Sequence, residues 1–432
     1  MNSAMQTMDL NTLTSAEYVR ETLAAMRQRR CHLALAITGG GSGAIGHLLR
    51  YGGASSVVMD AVVPYGNASL LSYLGARQLE GAATRDTALA MAMAAYLRCR
   101  ALRVATEAAS SQHENGASED AVVHDAAGGG AMDVGVSLTA ALPTNRTRRG
   151  EDRIHVALQT RMATRLFDVH LEKHAMDREA AERLAEQLVL LAVQWSYTDI
   201  TPALAQLDAT PGIQRVEHRT CIADRHLPKL LEGQSMVWCF ADGQELRFAD
   251  APALPMSRVS AIFPGSFNPP HRGHRGMMRH ASARLGRAPV AELSLHNVDK
   301  PPLDYVRLYD RLRGVFQELK PSAIAITDAP LFQQKAALLP GVPIIVGADT
   351  VIRIDDPKYY NDDVATRDRV LSEMRDEGTQ FMAFGRLVDG AFRDAQQLPL
   401  STCMRDMILR DSPQDYREDV SSTEIRDQVS DD

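Results

Sequence analysis

Four things are scarce in this chain of 432 residues, and each scarcity removes a class of protein. Nowhere do eighteen apolar residues run together, so no membrane-spanning helix is expected. Five cysteines (31, 99, 221, 239 and 403) lie scattered without a C-x-x-C pair, which speaks against both a disulfide framework and a zinc site and fits a reducing compartment. Basic residues do not dominate: the formal net charge is −7, so the electrostatic footprint of a general nucleic-acid binder is missing. The opening residues Met1–Leu10 show no basic stretch leading into an apolar one, and the expectation is a cytoplasmic protein without membrane or nucleic-acid partners.

What remains is an ordinary globular composition, 45% hydrophobic and 23% charged, on a chain too long for a single core. Two α/β domains are expected, with the first over 1–200, a bridging segment over 201–255 and the second over 256–432. In the first half, Thr14 to Arg30 has helical spacing, Leu33 to Ile37 reads as a buried strand, Val57 to Val63 as another, and Thr84 to Arg103 as a long helix. From Thr106 to Gly130 the composition turns to Ala, Ser, Glu, Asp and Gly, and a surface insertion over about 106–131 is expected. Val134 to Leu138 and Arg153 to Thr160 then read as strands, and Met176 to Trp195 as an amphipathic helix. Two short strands, Met236 to Phe240 and Glu245 to Phe248, fall in the bridge.

The second half alternates regularly. Strands are expected at Val259 to Phe263, Ala291 to Leu295, Ala323 to Thr327 and Pro343 to Val346. Helices are expected at Arg275 to Leu285, Asp304 to Glu318 and Phe332 to Leu338. Such alternation implies a Rossmann-like parallel sheet with right-handed crossovers, and a ligand crevice at the carboxyl ends of its strands.

Chemistry concentrates at the first of these strand ends. Gly265-Ser266-Phe267-Asn268-Pro269-Pro270-His271-Arg272-Gly273-His274 carries a strand into a helix whose first turn offers free N–H groups to an anion. His271 and His274, three apart, share one helix face and can converge on the same phosphate oxygens. A lone H-x-x-H is more often two solvent-facing histidines, but the whole string after a strand favours a phosphate site. Downstream, Gly347 and Asp349 follow an apolar strand, although an Asp there is commonly a helix cap. Lys300 is a candidate phosphate contact, whereas Arg307 and Arg311 read better as a solvated helix face. Ser421-Ser422-Thr423, with Arg426 three positions on, would by itself be a capping box.

Together these strings resemble the nucleotidyltransferases related to class I tRNA synthetases, and among them the nicotinamide/nicotinate mononucleotide adenylyltransferases, over roughly 257–429. The resemblance implies that His271 and His274 are catalytic, and that Gly265, Ser266, Phe267, Asn268, Gly347, Asp349, Ser421, Ser422, Thr423 and Arg426 bind nucleotide. It further implies ATP with Mg²⁺, a phosphomonoester acceptor such as a pyridine mononucleotide, and release of pyrophosphate. A cytidylyltransferase using another acceptor, a bifunctional deamidase and adenylyltransferase, and a non-catalytic nucleotide-binding scaffold stay open as alternatives. No K-M-S-K-S-like string is present, which disfavours a full synthetase.

Gly41, Gly43 and Gly46 formally match G-x-G-x-x-G, with Asp60 nineteen positions beyond Gly41. The helix available between Ala44 and Tyr51 is only about two turns, and Asp60 sits inside an apolar run, so a turn is the better reading. The same region resembles the nicotinamide-nucleotide amidase family, also known as the C-terminal domain of competence-damage proteins. Ala36 to Gly41, Gly53-Ala54-Ser55, Val63 to Asn67 and Gly135 to Thr160 carry that resemblance. It aligns Thr38 with the family's nucleophilic serine, retains Tyr65, and places the catalytic lysine near Leu70. A hydroxyl without an adjacent base stays protonated and weak. The expectation is therefore a degenerate amidase-like domain that binds a ligand or joins subunits into a homo-oligomer, its glycine-rich turn still able to hold a phosphate.

Overall fold

A computed structural model describes residues 10–114, 131–144, 150–388, 391–393 and 397–409. The chain divides into two compact units, Met1–Ala223 with Asp299–Val306, and Asp224–Val298 with Arg307–Asp432. Both are mixed α/β. Of the segment 201–255, a helix and a strand fall in the first unit, and a helix and two strands in the second.

The first unit is built on a six-stranded sheet. Its strands are β1 (Cys31–Thr38), β2 (Val58–Val62), β3 (Met132–Ala141), β4 (Asp152–Thr160), β5 (Ala163–Leu171) and β6 (Ile213–Ile222), in the order β2-β1-β3-β4-β5-β6. β2, β1 and β3 run parallel, and the rest pair antiparallel. Strand β1 alternates large and small: Leu33, Leu35 and Ile37 pack with α1 (Ala16–Gln28), α2 (Gly43–Leu49) and α5 (Arg178–Trp195), while Ala34 and Ala36 face α3 (Asn67–Leu74) and α4 (Arg85–Glu114). That small face lets α4 lie close to the sheet. A Cβ on Gly135 would sit 2.2 Å from the Ala92 carbonyl and 2.3 Å from the Tyr96 nitrogen, so only glycine fits under the helix.

Helix α4 runs past Arg103 to Glu114, through the start of the stretch expected to be an insertion. Ala and Glu are good helix formers, and Arg103 meets Glu107 one turn on at 2.9 Å. The remainder, 115–130, lies outside the described residues. Helix α6 (Thr201–Asp208) precedes β6. The segment Asp299–Val306 completes this unit: Tyr305 donates its N–H to Thr164 Oγ1 (3.0 Å) and its hydroxyl to the Arg161 carbonyl (2.7 Å), and Leu303, Tyr305 and Val306 are all buried.

The second unit holds a seven-stranded sheet of β7 (Met236–Asp242), β8 (Glu245–Asp250), β9 (Ile262–Pro264), β10 (Val290–Ser294), β11 (Ile324–Thr327), β12 (Ile344–Gly347) and β13 (Phe381–Phe384), ordered β13-β12-β9-β10-β11-β7-β8. The five strands from β9 to β13 are parallel, and β7 and β8 extend the sheet antiparallel beside β11. The helices are α7 (Leu227–Leu231), α8 (Arg272–Leu285), α9 (Tyr305–Leu319), α10 (Phe332–Leu338), α11 (Ala348–Asp355), α12 (Val364–Asp376) and α13 (Thr402–Asp406), with a hairpin of β14 (Arg386–Val388) and β15 (Ala391–Arg393). After β9, the chain moves outward through β10 and β11, then returns to the other side of β9 for β12 and β13. This reversal puts a topological switch point between β9 and β12, where open parallel sheets bind ligands.

Candidate active site

Pairing Ile262 with Ile344 brings residues three further along each strand, Gly265 and Gly347, level at the carboxyl edge of the switch point. Two segments read separately in the sequence thus leave adjacent strands of the sheet: the turn ending in His271 and His274, and the one carrying Asp349. Ser421, Ser422, Thr423 and Arg426 lie outside the described residues.

The turn after β9 is held from several sides. Gly265 donates its N–H to the Glu292 carbonyl of β10 (3.0 Å), and Arg311 Nη1 of α9 donates to the Ser266 carbonyl (3.1 Å). Arg311, read above as a solvated cation, instead fastens the loop. Phe267 takes a positive φ of 45° and buries its ring edge-on against Phe263 (5.6 Å between centroids) and His274 (5.1 Å). Its ring is a floor beneath the histidine, leaving only its backbone to face a ligand. A Cβ on Gly265 would lie 2.5 Å from that ring, which has nowhere to go. Asn268 leads into Pro269 through a cis peptide, and Pro270 packs under Gly314 of α9.

His271 is the N-cap of α8, with extended backbone, and its N–H donates to His274 Nδ1 at 3.2 Å. Because Nδ1 accepts, a neutral His274 must carry its proton on Nε2, and that N–H becomes the donor available to a ligand. The imidazoles lie 3.7 Å apart between centroids. Burial, reinforced by His271, pushes the His274 pKa down to about 3. The site therefore holds a neutral donor beside the positive dipole end of a fourteen-residue helix.

On the β12 side, Gly347 caps α11 and Asp349 is exposed in that helix's first turn. Among the described residues, nothing beyond its chain neighbours and its own helix lies within 4 Å of where a Gly347 Cβ would be. Lys300 belongs to the segment counted with the first unit, not with the histidines.

Two clusters beside the turn were not read from the sequence. Glu292 on β10 is buried with Lys335 of α10, whose Nζ is 2.8 Å from both carboxylate oxygens, and Thr327 donates to the same carboxylate at 2.5 Å. At the ends of β10 and β11, His296 Nδ1 meets Asp328 Oδ1 at 2.5 Å. A polar residue inside or just past an apolar strand was the available signal in each case.

Residues 262–428 match the family model described as Cytidylyltransferase-like. The second unit thus carries a cytidylyltransferase-like nucleotidyltransferase domain, and the match spans both the histidine turn and the Ser421–Arg426 segment. Among solved structures, the chain is similar to the competence/damage inducible protein CihA from Agrobacterium tumefaciens (19% identity, 42% of this chain and 93% of that one, TM-score 0.30). It is also similar to a competence-damaged protein (CinA) superfamily protein from Escherichia coli (16% identity, 45% of this chain and 98% of that one, TM-score 0.30). No curated protein matches significantly. Among the described residues, no helix is long and apolar enough to cross a membrane.

In the first unit, Thr38 is buried and donates its hydroxyl to the Pro64 carbonyl (3.2 Å), while Tyr65 is 72% exposed. Leu70 is 1% exposed, in an apolar cluster with Ala34, Ala36 and Met91. The glycine turn does not offer an open phosphate cradle: Glu182 Oε1 accepts from the Gly41 N–H (2.8 Å), and a Cβ on Gly43 would lie 2.1 Å from Glu186 Oε1. These carboxylates of α5 stand where an anion would go, overturning that expectation. Asp60 pairs with Arg98 (3.0 Å), which occupies the carboxylate that a dinucleotide ribose would need.

Proposed function

We propose that the second unit joins a nucleoside triphosphate, ATP, to a phosphomonoester, a pyridine mononucleotide, with release of pyrophosphate. An oxygen of the acceptor phosphate attacks the α-phosphorus; the bond from that phosphorus to the α,β-bridging oxygen breaks, and pyrophosphate leaves with the electron pair. No protein nucleophile is needed, so the chain's task is to position two anions and offset gathering charge. The observation carrying this reading is the paired imidazole site at the α8 N-terminus, beside the switch point. His274 Nε2–H and the first-turn N–H groups donate to phosphate oxygens, and the loop backbone from Gly265 to Asn268 lines the approach. Gly347 and Asp349 take the nucleoside end, and Ser421, Ser422, Thr423 and Arg426 the departing pyrophosphate.

Mg²⁺ supplies further charge neutralisation to the triphosphate. Among the described residues, no group of three or more His, Cys, Asp or Glu could hold a metal ion.

The first unit is proposed to be non-catalytic, binding a ligand or joining subunits. Thr38 spends its hydroxyl on Pro64, and Leu70 offers no base. A pyrophosphate-release screen crossing four nucleoside triphosphates with a set of phosphomonoesters tests the assignment. Turnover with ATP and nicotinate or nicotinamide mononucleotide, abolished in His274→Ala, is the expected result. Turnover confined to CTP and a different phosphate acceptor moves the reading to a cytidylyltransferase, which the family match favours as second choice.

A further inference from the structure

Resting on that reading, we propose that His296, oriented by Asp328, binds the phosphate of the acceptor. If the nucleotide takes the switch-point crevice and the β12 side, its attacking partner must come from the other flank of β9. That flank is the carboxyl edge of β10 and β11, one strand over, since β10 pairs with β9 through Glu292 and Pro264.

His296 follows β10 by two residues and Asp328 follows β11 by one, and the register Ser294 to Thr327 brings these ends together. Backbone and side chain fasten the two loops to each other, Leu295 N–H donating to the Thr327 carbonyl (2.9 Å) and Ala329 N–H to Ser294 Oγ (3.3 Å), while Asn297 Nδ2 donates to the Ser294 carbonyl (3.1 Å) within the first loop. The His296 ring is therefore held by rigid strand ends.

Asp328 accepts from Nδ1, which fixes the ring orientation and turns Nε2 outward, from where the charged form of an imidazole donates to an anion. Among the described residues, Nε2 makes no hydrogen bond, and both side chains are 32% exposed, reachable by a solute. A ring serving only its bond to Asp328 has little use for such bracing of both loops. A phosphate-binding ring has, because its nitrogen must point at one place.

Asp328 acts through His296 as a positioning residue. Steady-state pyrophosphate release by the full chain, with ATP and nicotinate mononucleotide varied in turn, tests both roles. In His296→Ala the KM for the mononucleotide should rise tenfold or more while the KM for ATP stays within twofold; Asp328→Asn should raise the former about threefold. His296→Gln, close in size and polarity, guards against misfolding and should show the same split. An unchanged mononucleotide KM, or both KM values rising together, overturns the assignment. A wild-type chain that turns over no acceptor defeats the transferase reading itself, and this proposal with it, whereas turnover with an unmoved mononucleotide KM in the variants defeats this proposal alone.

Discussion

Lys335→Met removes the ammonium from a carboxylate that has almost no water to turn to. Glu292 is 1% exposed and Lys335 5%, and the Nζ bridges both carboxylate oxygens at 2.8 Å. In the variant, Glu292 keeps the Thr327 hydroxyl as its one side-chain donor among the described residues, and stranding a buried charge costs about 3–5 kcal/mol. Replacing both partners, as Glu292→Leu with Lys335→Met, removes the stranded charge and should restore most of the loss, less about 1 kcal/mol for the orphaned Thr327 hydroxyl. The two tryptophans allow the measurement to be local: Trp238 is fully buried in the second unit and Trp195 lies in the first. In a Trp195→Phe background, Trp238 fluorescence follows urea unfolding of the second unit. With a slope of about 2–3 kcal/mol per molar, the single variant should lower the midpoint by roughly 1–2 M, and the double variant by less than about 0.5 M. A single-variant shift under about 0.3 M, or a double variant as damaged as the single, would refute the account of a desolvated ion pair.

Three further outcomes are expected. Gly265→Ala drives a methyl into the Phe267 ring beneath His274, so pyrophosphate release should fall at least about 100-fold while thermal unfolding of the protein shifts only modestly; retained turnover speaks against the turn as the site. His274 has a folded pKa near 3 and an unfolded pKa of about 6.5, so the unfolded chain takes up a proton that the folded one refuses as pH falls through that window. Stability is thus fully present above about 6.5 and declines toward pH 3, with this one residue accounting for about 2–3 kcal/mol between pH 7 and 4.5; His274→Gln should flatten the urea-midpoint profile by that amount, and an identical slope in both proteins contradicts it. In the first unit, Leu70→Lys, which supplies the lysine that the amidase resemblance places near this position, should destabilise by about 3 kcal/mol or more without producing ammonia from nicotinamide mononucleotide, because the position is sealed in an apolar cluster. Ammonia release would show that the site can reopen.

The second sheet was largely legible in the sequence, because its strands β9 to β12 are mostly buried and read as continuous apolar runs between helical spacings. The helix read at Phe332 to Leu338 is α10 without adjustment, and the strand read at Ala323 to Thr327 differs from β11 by one residue. Of the two large sheets, β5, β6 and the buried edge strand β13 were not read. β6 exposes most of Ile213–Ile222, where Arg215, Glu217, His218 and Arg219 leave no apolar alternation to detect. β5 buries Thr164, Asp168 and His170 along with its apolar residues, so its inward face looks polar. The histidine turn announced itself through a compact string of unusual residues. Tertiary partners had no such signal: Arg311 reaches the Ser266 carbonyl across forty-five positions, and Lys335 reaches Glu292 across forty-three.

The eight residues from Asp299 to Val306 have a practical consequence for anyone who divides this protein. A cut after Ala223 yields an N-terminal fragment stripped of a strip of its own surface, with Thr164 Oγ1 losing the Tyr305 amide and the seats of Leu303, Tyr305 and Val306 left bare. Such a fragment should be sticky and soften early on heating, and a synthetic peptide of that stretch, supplied in trans, should partly restore it. The gene therefore encodes two bodies in one reading frame that plain truncation cannot separate.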